Sequence, residues 1–494
     1  MPPGATDESR SDDRDAAESP LRLGARYEPS RRWLLALTVL ALVSRILWVV
    51  LVHPPGDYVF SDMAKYVDRA QDLAEHGFRW GIRPLAWQAW GTHYILAVPL
   101  WLFGKDNLVA GAVLWALMGA GAVPLAYLLA ARVCRSGVIA KLVGVAMLLW
   151  HPSLSNNGYF LSETPFLFFQ LWSTYWLVVL LQDGRRALGA GLVSAVAFAV
   201  RPQSALFFVL VFVTWLVNRK RLSHVRLPQL LAVALPLLLA LGYAFWRFEA
   251  HTGYGPGVAE NANMNLTAGR CHNIVTQAFA SEALLRRSEA KDDTRDGRRV
   301  SLPGFRVLAR DLPPEHPLAL RPAMQSETIR FVGYIGDPEI HREIRRECYR
   351  RTGTREQIRY SVVNASLLWF YAHQWPEIER GHKRFYPPLA IYKRIFQVLI
   401  WFPSMVGMFF AIAAIRRRPE LTLCAWQIVT STVVASIFFG SIRLRTPYDP
   451  YAMILAAEVW AFVAIWAVGR WRSRRDRRGS DSSDRGGSSD RSAA

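Results

Sequence analysis

The stretch HPPGDYVFSDMAKYVDRAQDLAEHGF, His53 to Phe78, sets five carboxylates, Asp57, Asp62, Asp68, Asp72 and Glu75, directly behind a strongly apolar segment. Its spacing predicts a helix in which Ser61 serves as cap and Asp62 occupies the first turn, where a carboxylate complements the helix dipole. Tyr66, Ala70 and Leu73 share a face with Asp62 at helical spacing, so the helix is amphipathic and suited to lie on a membrane. Asp68, Asp72 and Glu75 fit a solvated face. For Asp62 two readings stand side by side, a capping surface charge and a general base, and Asp57 rivals it for the second.

A further carboxylate sits in GYFLSETPFLFF, where Glu163 follows Ser162 at the start of an apolar helix. An ionised glutamate at a membrane boundary is costly unless paired or functional. Arg201, followed by Pro202, interrupts a long apolar run, and SIRLRTPYDPY brings Arg443, Arg445, Tyr448 and Asp449 to the start of the last one. Two carboxylates from separate elements can supply a base and a group that orients a substrate or metal. Arginine's planar fork suits phosphate. The plainer alternative pairs these arginines locally with Asp449 and Glu163.

The elements that must position these groups are membrane helices. The chain has 494 residues, is 52% hydrophobic and carries 19 Trp, with its charge confined to blocks. Apolar runs fall near 33–52, 92–104, 108–132, 138–150, 159–181, 188–200, 204–217, 229–248, 389–413, 421–440 and 450–469. Their lengths predict an all-α polytopic membrane protein of about 10–11 transmembrane helices. The segment 92–104 is either re-entrant or an eleventh crossing. The net charge of +20 comes from clusters flanking the apolar runs, such as Arg31 and Arg32, Arg185 and Arg186, NRKR at 218–221, RRR at 416–418 and RWRSRRDRR at 470–478. This is the positive-inside pattern, which places those loops and both termini in the cytoplasm and argues for anionic lipid rather than nucleic acid.

The organisation expected is a polar N-terminus at 1–30, disordered and without a signal peptide's apolar core, then a transmembrane module at 31–248 that includes an outer loop at 53–91. A large extracytoplasmic loop at 249–388, C-terminal helices at 389–470 and a disordered basic tail at 471–494 follow. The large loop contains a charged helical run, EIHREIRRECYRRTGTREQIRYSVVNAS, ending in an interfacial LLWFYAHQW. Cys271 and Cys348 lie in that loop, where a disulfide is open to them in an oxidising compartment. Cys134 and Cys424 lie in apolar segments and are expected to be inert. No GxxxxGK[ST] motif occurs, which argues against an ATP-driven pump. His53, His93 and His151, near membrane boundaries, and the amide-rich stretch 254–273 are weaker candidates for contact with sugar or phosphate.

The ordered set SDMAKYVDRA, WLFG, LSETPF, RPQSALF and RLRTPYDPYAMILAAE resembles the GT-C membrane glycosyltransferases. The likeness is to the bacterial family 39-like enzymes of the RgtA/B/C/D type, related to protein mannosyltransferases and to the lipid A aminoarabinose transferase. The resemblance covers roughly 55–460. It implies a bacterial plasma-membrane enzyme that moves a sugar from a polyprenyl-phosphate donor to a glycan, lipid or protein acceptor on the outer face, with inversion. By the same resemblance Asp62 is the base and Glu163 the second acidic position. Arg201, Arg443 and Arg445 hold the donor phosphate, with Asp57, Tyr66 and Tyr448 as further substrate contacts. Where many relatives have adjacent acids, position 61 here is Ser. No cofactor is therefore called for, and a divalent cation is compatible with the residues but not indicated by them. A transporter of lipid-linked sugars and a non-enzymatic scaffold for envelope assembly are the competing readings. Transporters show paired halves and midplane charges that this chain lacks.

Overall fold

The computed structural model describes residues 27–60, 62–78, 87–252, 255–271, 301–308, 328–332, 338–370 and 394–485. The expectations for the N-terminus at 1–26, for the capping role of Ser61 and for the end of the tail at 486–494 lie outside the described residues.

Among the described residues the chain is helical apart from one antiparallel ladder, β1 (Ser301–Leu308) with β2 (Thr328–Val332), inside the expected large loop. Among the described residues seven helices are long and apolar enough to cross a membrane: Arg31–Val52, Leu108–Cys134, Glu163–Asp183, Leu227–Ala250, Arg394–Ala413, Pro419–Ile437 and Arg443–Trp471. An eighth span forms if the bent pair Gly137–Leu149 and His151–Gly158 is counted as one. Large apolar side chains stand exposed along them, Leu35 at 66%, Leu51 at 70% and Phe409 at 68%. That is the surface a hydrocarbon solvent accepts and water does not.

In chain order the helices are α1 (Arg31–Leu47), α2 (Asp62–Glu75), α3 (Gly91–Phe103), α4 (Leu108–Cys134), α5 (Gly137–Leu149), the short α6 (His151–Ser155), α7 (Glu163–Asp183), α8 (Ala187–Val200) and α9 (Ala205–Val217). Then come α10 (Leu227–Thr252), α11 (Asn261–Cys271), α12 (Pro338–Phe370), α13 (Phe402–Ala413), α14 (Pro419–Ile437), α15 (Ile442–Arg445) and α16 (Asp449–Arg485). The basic stretch after Trp471 continues α16 as far as Arg485, where the sequence suggested disorder from 471 onward.

Contacts between helix ends define two ends of the bundle. At one, the far end, Tyr27 lies against Gly137, the Arg132 guanidinium meets Asp183 at 2.7 Å, Arg135 meets Glu420 at 2.9 Å, and Asn218 donates to the Ile415 carbonyl at 3.1 Å. At the other, the site end, Gly56 touches Leu108 and Gly91 abuts Ala199 and Val200.

These contacts separate the three short apolar helices. Helices α8 and α9 each join the two ends. Helix α3 does not: it begins against the end of α8, and the chain re-enters α4 at Leu108 beside Gly56. Both ends of the apolar segment 92–104 therefore lie at the site end. It lies along the site end with α2, to which it is joined by the contact of Phe78 with Tyr94 and Trp101 and by the Lys105–Glu75 ion pair. Hydropathy cannot make this distinction, because a helix lying in the interface and one spanning the bilayer bury the same residues.

The break between α5 and α6 has a local cause. Pro152 cannot donate to the preceding turn, and Trp150 adopts an extended backbone. The carbonyls of Met147 and Leu148 are satisfied instead by Arg45, a fully buried guanidinium from α1, at 3.1 and 3.0 Å. Outside the bundle α11 and α12 pair, joined by a Cys271–Cys348 disulfide with the two Cα atoms 5.4 Å apart. Helix α12 contains the predicted charged run, interrupted at Gly353, whose φ of 69° suits glycine. The pair rests on the end of α14, where Asn364 donates to the Gly269 carbonyl at 3.0 Å and Gly269 packs against Phe438.

Candidate active site

Four residues from four parts of the sequence meet at the site end. Glu163 opens α7 and is 1% exposed. Its Oε1 accepts from Arg201 Nη2 at 2.6 Å and also from Arg443 Nε. Arg201 takes its position from the chain break after α8, where Pro202 enforces a new start and leaves the arginine extended at φ −144°. Its Nε donates to Ser162 Oγ at 3.0 Å. Arg443 belongs to the single turn α15, and its other two nitrogens reach Asp62 Oδ2 at 3.4 Å. Asp62 thus touches the cluster through Arg443 alone, while its Oδ1 accepts from Gln88 Nε2 at 3.4 Å.

The two carboxylates are unlike. The Glu163 side chain is sealed between two guanidiniums, whereas that of Asp62 is 41% exposed and held by long hydrogen bonds. Such bonds orient a carboxylate without using up its lone pairs. Two buried atoms in the cluster have no partner among the described residues, Glu163 Oε2 and Arg201 Nη1. Buried polar atoms are rarely left so without a reason such as an absent ligand or water.

Tyr66, on the inner face of α2, is 7% exposed. Burial, reinforced by Asp62 and Glu163, pushes its phenol above the ordinary value, so it faces the cluster as an O–H. Tyr448 is buried too, accepting from Gln203 Nε2 at 3.0 Å and packing edge-on against Phe166, whose ring also lies 5.6 Å from the Arg201 guanidinium.

Two of the residues singled out in the sequence stand apart. Arg445 is 3% exposed and committed to Asp449 at 3.0 Å, with Phe396 against its guanidinium. Asp449 in turn accepts from Trp150 Nε1 at 2.7 Å. This is the local pairing that the sequence left open, and it draws Arg445 away from Glu163. Asp57 sits exposed in the turn Pro55–Tyr58, and no contact joins it to the cluster. His53 lies between Tyr58 and Tyr159, with ring centroids at 3.8 and 4.5 Å, as part of an aromatic stack. Among the described residues no three His, Cys, Asp or Glu side chains gather as metal ligands do.

Gln88, which steadies Asp62, was not legible from the sequence. It follows Trp87 just before α3, outside any periodic pattern, and only the placement of residues 87–90 beside α2 brings it to the carboxylate.

No protein-family model and no curated protein matches the chain. Among solved structures the chain is similar to ArnT from Cupriavidus metallidurans. In the apo state of that protein the identity is 14% and the TM-score 0.37, over 87% of this chain and 77% of that one. The form bound to undecaprenyl phosphate gives 15% identity and a TM-score of 0.37, over 87% and 78%. At that distance the functional reading has to rest on the chain's own residues.

Proposed function

We propose that the chain is an integral membrane glycosyltransferase of the GT-C type. It takes a sugar from a polyprenyl-phosphate donor and passes it to an acceptor hydroxyl at the site end, which is the extracytoplasmic face of a bacterial plasma membrane. The sidedness follows from the far end, where the basic clusters around Arg185, Arg219 and Arg416 gather, as the positive-inside rule requires of a cytoplasmic face.

The observation that carries the reading is the contrast between Asp62 and its neighbours. A half-exposed carboxylate, oriented from both sides, stands next to the half-buried Arg443 and, beyond it, the buried Arg201. Asp62 takes the proton of the acceptor hydroxyl as that oxygen bonds to the anomeric carbon. The bond from that carbon to the phosphate oxygen breaks on the opposite face, which inverts the centre. The electron pair leaves with the polyprenyl phosphate, which needs positive charge rather than a proton. Arg443, in contact with Asp62, and Arg201, joined to it through Glu163, would supply that charge. Glu163 keeps both guanidiniums fixed, and Tyr66 offers a hydroxyl to the sugar or phosphate.

The test is sugar transfer from a polyprenyl-phosphate sugar in membranes carrying Asp62→Asn. A loss of about 10²–10⁴-fold at unchanged folded abundance is expected for a general base. Full activity would remove Asp62 from the mechanism. Movement of a labelled lipid-linked sugar across liposomes without any transfer would favour a transporter instead.

A further inference from the structure

The chain that delivers Arg443 to the site has no regular structure of its own. Residues 438–441, between the end of α14 and the single turn α15, are neither helix nor strand. Such a stretch takes its place from what packs on it, and here that is the pair α11 and α12. The Ser436 carbonyl, in the last turn of α14 where a helix leaves carbonyls unpartnered, accepts from Arg270 Nη2. Gly269 lies so close to Phe438 that a Cβ on it would overlap the Phe438 carbonyl. A Cβ on Gly440 would overlap the Asn364 carbonyl and stand 2.8 Å from the Leu368 nitrogen. Backbones approach this closely only at glycine.

Helix α12 meets the chain again beyond Arg443. There Arg445 Nη1 donates to the Trp369 carbonyl at 3.5 Å, while Trp369 Nε1 donates to Thr432 Oγ1 of α14 at 3.0 Å. Gly440 precedes Arg443 by three residues and Arg445 follows it by two, so α12 holds the chain on both sides of that arginine. The pair is itself tightly joined. Arg270 Nη1 donates to Ser361 Oγ at 3.0 Å, Gln357 Nε2 to the Arg270 carbonyl at 2.8 Å and Asn364 Nδ2 to the Gly269 carbonyl at 3.0 Å. Next to Arg270 the Cys271–Cys348 disulfide closes the join. Arg270 and Asn364 are 8% and 2% exposed, so these bonds are sheltered from competing water.

We infer that Arg270 and Asn364 are positioning residues, which lock α11 and α12 onto residues 436–441 and so set the Arg443 guanidinium against Glu163 and Asp62. Both act through the backbone. The two glycine contacts have no flexible side chain to absorb a movement, so a shift of the pair is passed on to Arg443. Because Asp62 meets the Glu163 cluster through Arg443, the same shift loosens the candidate base. The inference rests on the transferase reading for its effect on catalysis, and not for its geometry.

The experiment uses full-length protein in detergent, with sugar transfer from a polyprenyl-phosphate sugar measured per folded molecule. Arg270→Gln should lower transfer about 10²-fold, the loss that a misplacement of about 1 Å produces. Arg270→Lys, which keeps a donor for the Ser436 carbonyl, should recover part of it. The decisive comparison is the double variant. In an Arg443→Gln background Arg270→Gln should cost nothing further, because the group it positions is already gone. Losses that simply multiply would make Arg270 a structural residue and overturn the inference. A structure of Arg270→Gln, solved by electron cryomicroscopy, should show Arg443 displaced from Glu163 while α7 and α8 stay in place. Arg443 still seated on Glu163 would equally overturn it. Should Arg270→Gln fail to fold, Asn364→Ser, which loses only the bond to the Gly269 carbonyl, is put through the same cycle and the same structure determination. Displacement of Arg443 in a protein whose wild type transfers no sugar sinks the enzyme reading and leaves the positioning intact.

Discussion

Both ends of the bundle bury arginine against carboxylate, but they finish the arrangement differently. At the far end Arg418 meets Glu458 through two parallel bonds of 2.9 and 3.0 Å and spends a further one, at 2.8 Å, on the Val133 carbonyl. Neither side chain leaves a buried atom without a partner. At the site end Glu163 gives both arginines the same oxygen, its second oxygen is unmatched, and the chain of contacts runs out to a carboxylate that faces solvent. A closed pair fastens α4, α14 and α16 together. An open one keeps hydrogen-bonding capacity in reserve, at some cost in stability, and that reserve is what a substrate can use.

The comparison can be broken by experiment. The largest effect should come from Glu458→Ala, which strands Arg418 in a dry site and should cost about 3–5 kcal/mol of stability. It would be seen as lost membrane abundance and a lower melting temperature in detergent, with transfer per folded molecule unchanged. A Glu458→Ala protein that is stable but inactive would mean that the far end is not merely structural. Glu163→Gln retains one oxygen for the two arginines but removes the charge that fixes them. Transfer should fall by about 10²-fold, an effect of the size seen when one aligned polar group is lost, with a smaller fall in melting temperature than Glu458→Ala causes. The reverse ranking would erase the distinction between the two ends.

The smallest effect belongs to the exposed Glu75–Lys105 pair at 2.7 Å. Its hydrogen bond to Lys105 holds the Glu75 carboxyl below its ordinary value. Such a depressed carboxyl adds stability that is present above its unfolded pKa and is lost as pH falls through the folded one. Both partners are in solvent and salt screens them, so Glu75→Gln should leave the melting temperature unmoved at neutral pH and physiological salt.

Much of this site was visible before any coordinates, for a physical reason. Charges are expensive near hydrocarbon, so Glu163, Arg201 and Arg443 stood out against their apolar surroundings and the structure gathers them. Arg445 stood out equally, yet Asp449 four residues on is an ordinary helical partner and takes it. Spacing alone could not choose between a near partner and a distant one. His93 was noticed as a boundary histidine, but its unpartnered nitrogens depend on the orientation of α3. That orientation is invisible to hydropathy.

Helix α3 begins at Gly91, where a Cβ would lie 2.5 Å from the Val200 nitrogen and 2.6 Å from the Ala199 carbonyl carbon. The joint has no slack, and the residue after Val200 is Arg201. Two parts of the site are thus mounted on one bearing: Gln88 precedes Gly91 by three residues, and Arg201 follows the end of α8. A single methyl at position 91 would push the two apart and set the site out of true without altering any charge, donor or acceptor within it. The tolerance of the chemistry is therefore set by a residue with no side chain.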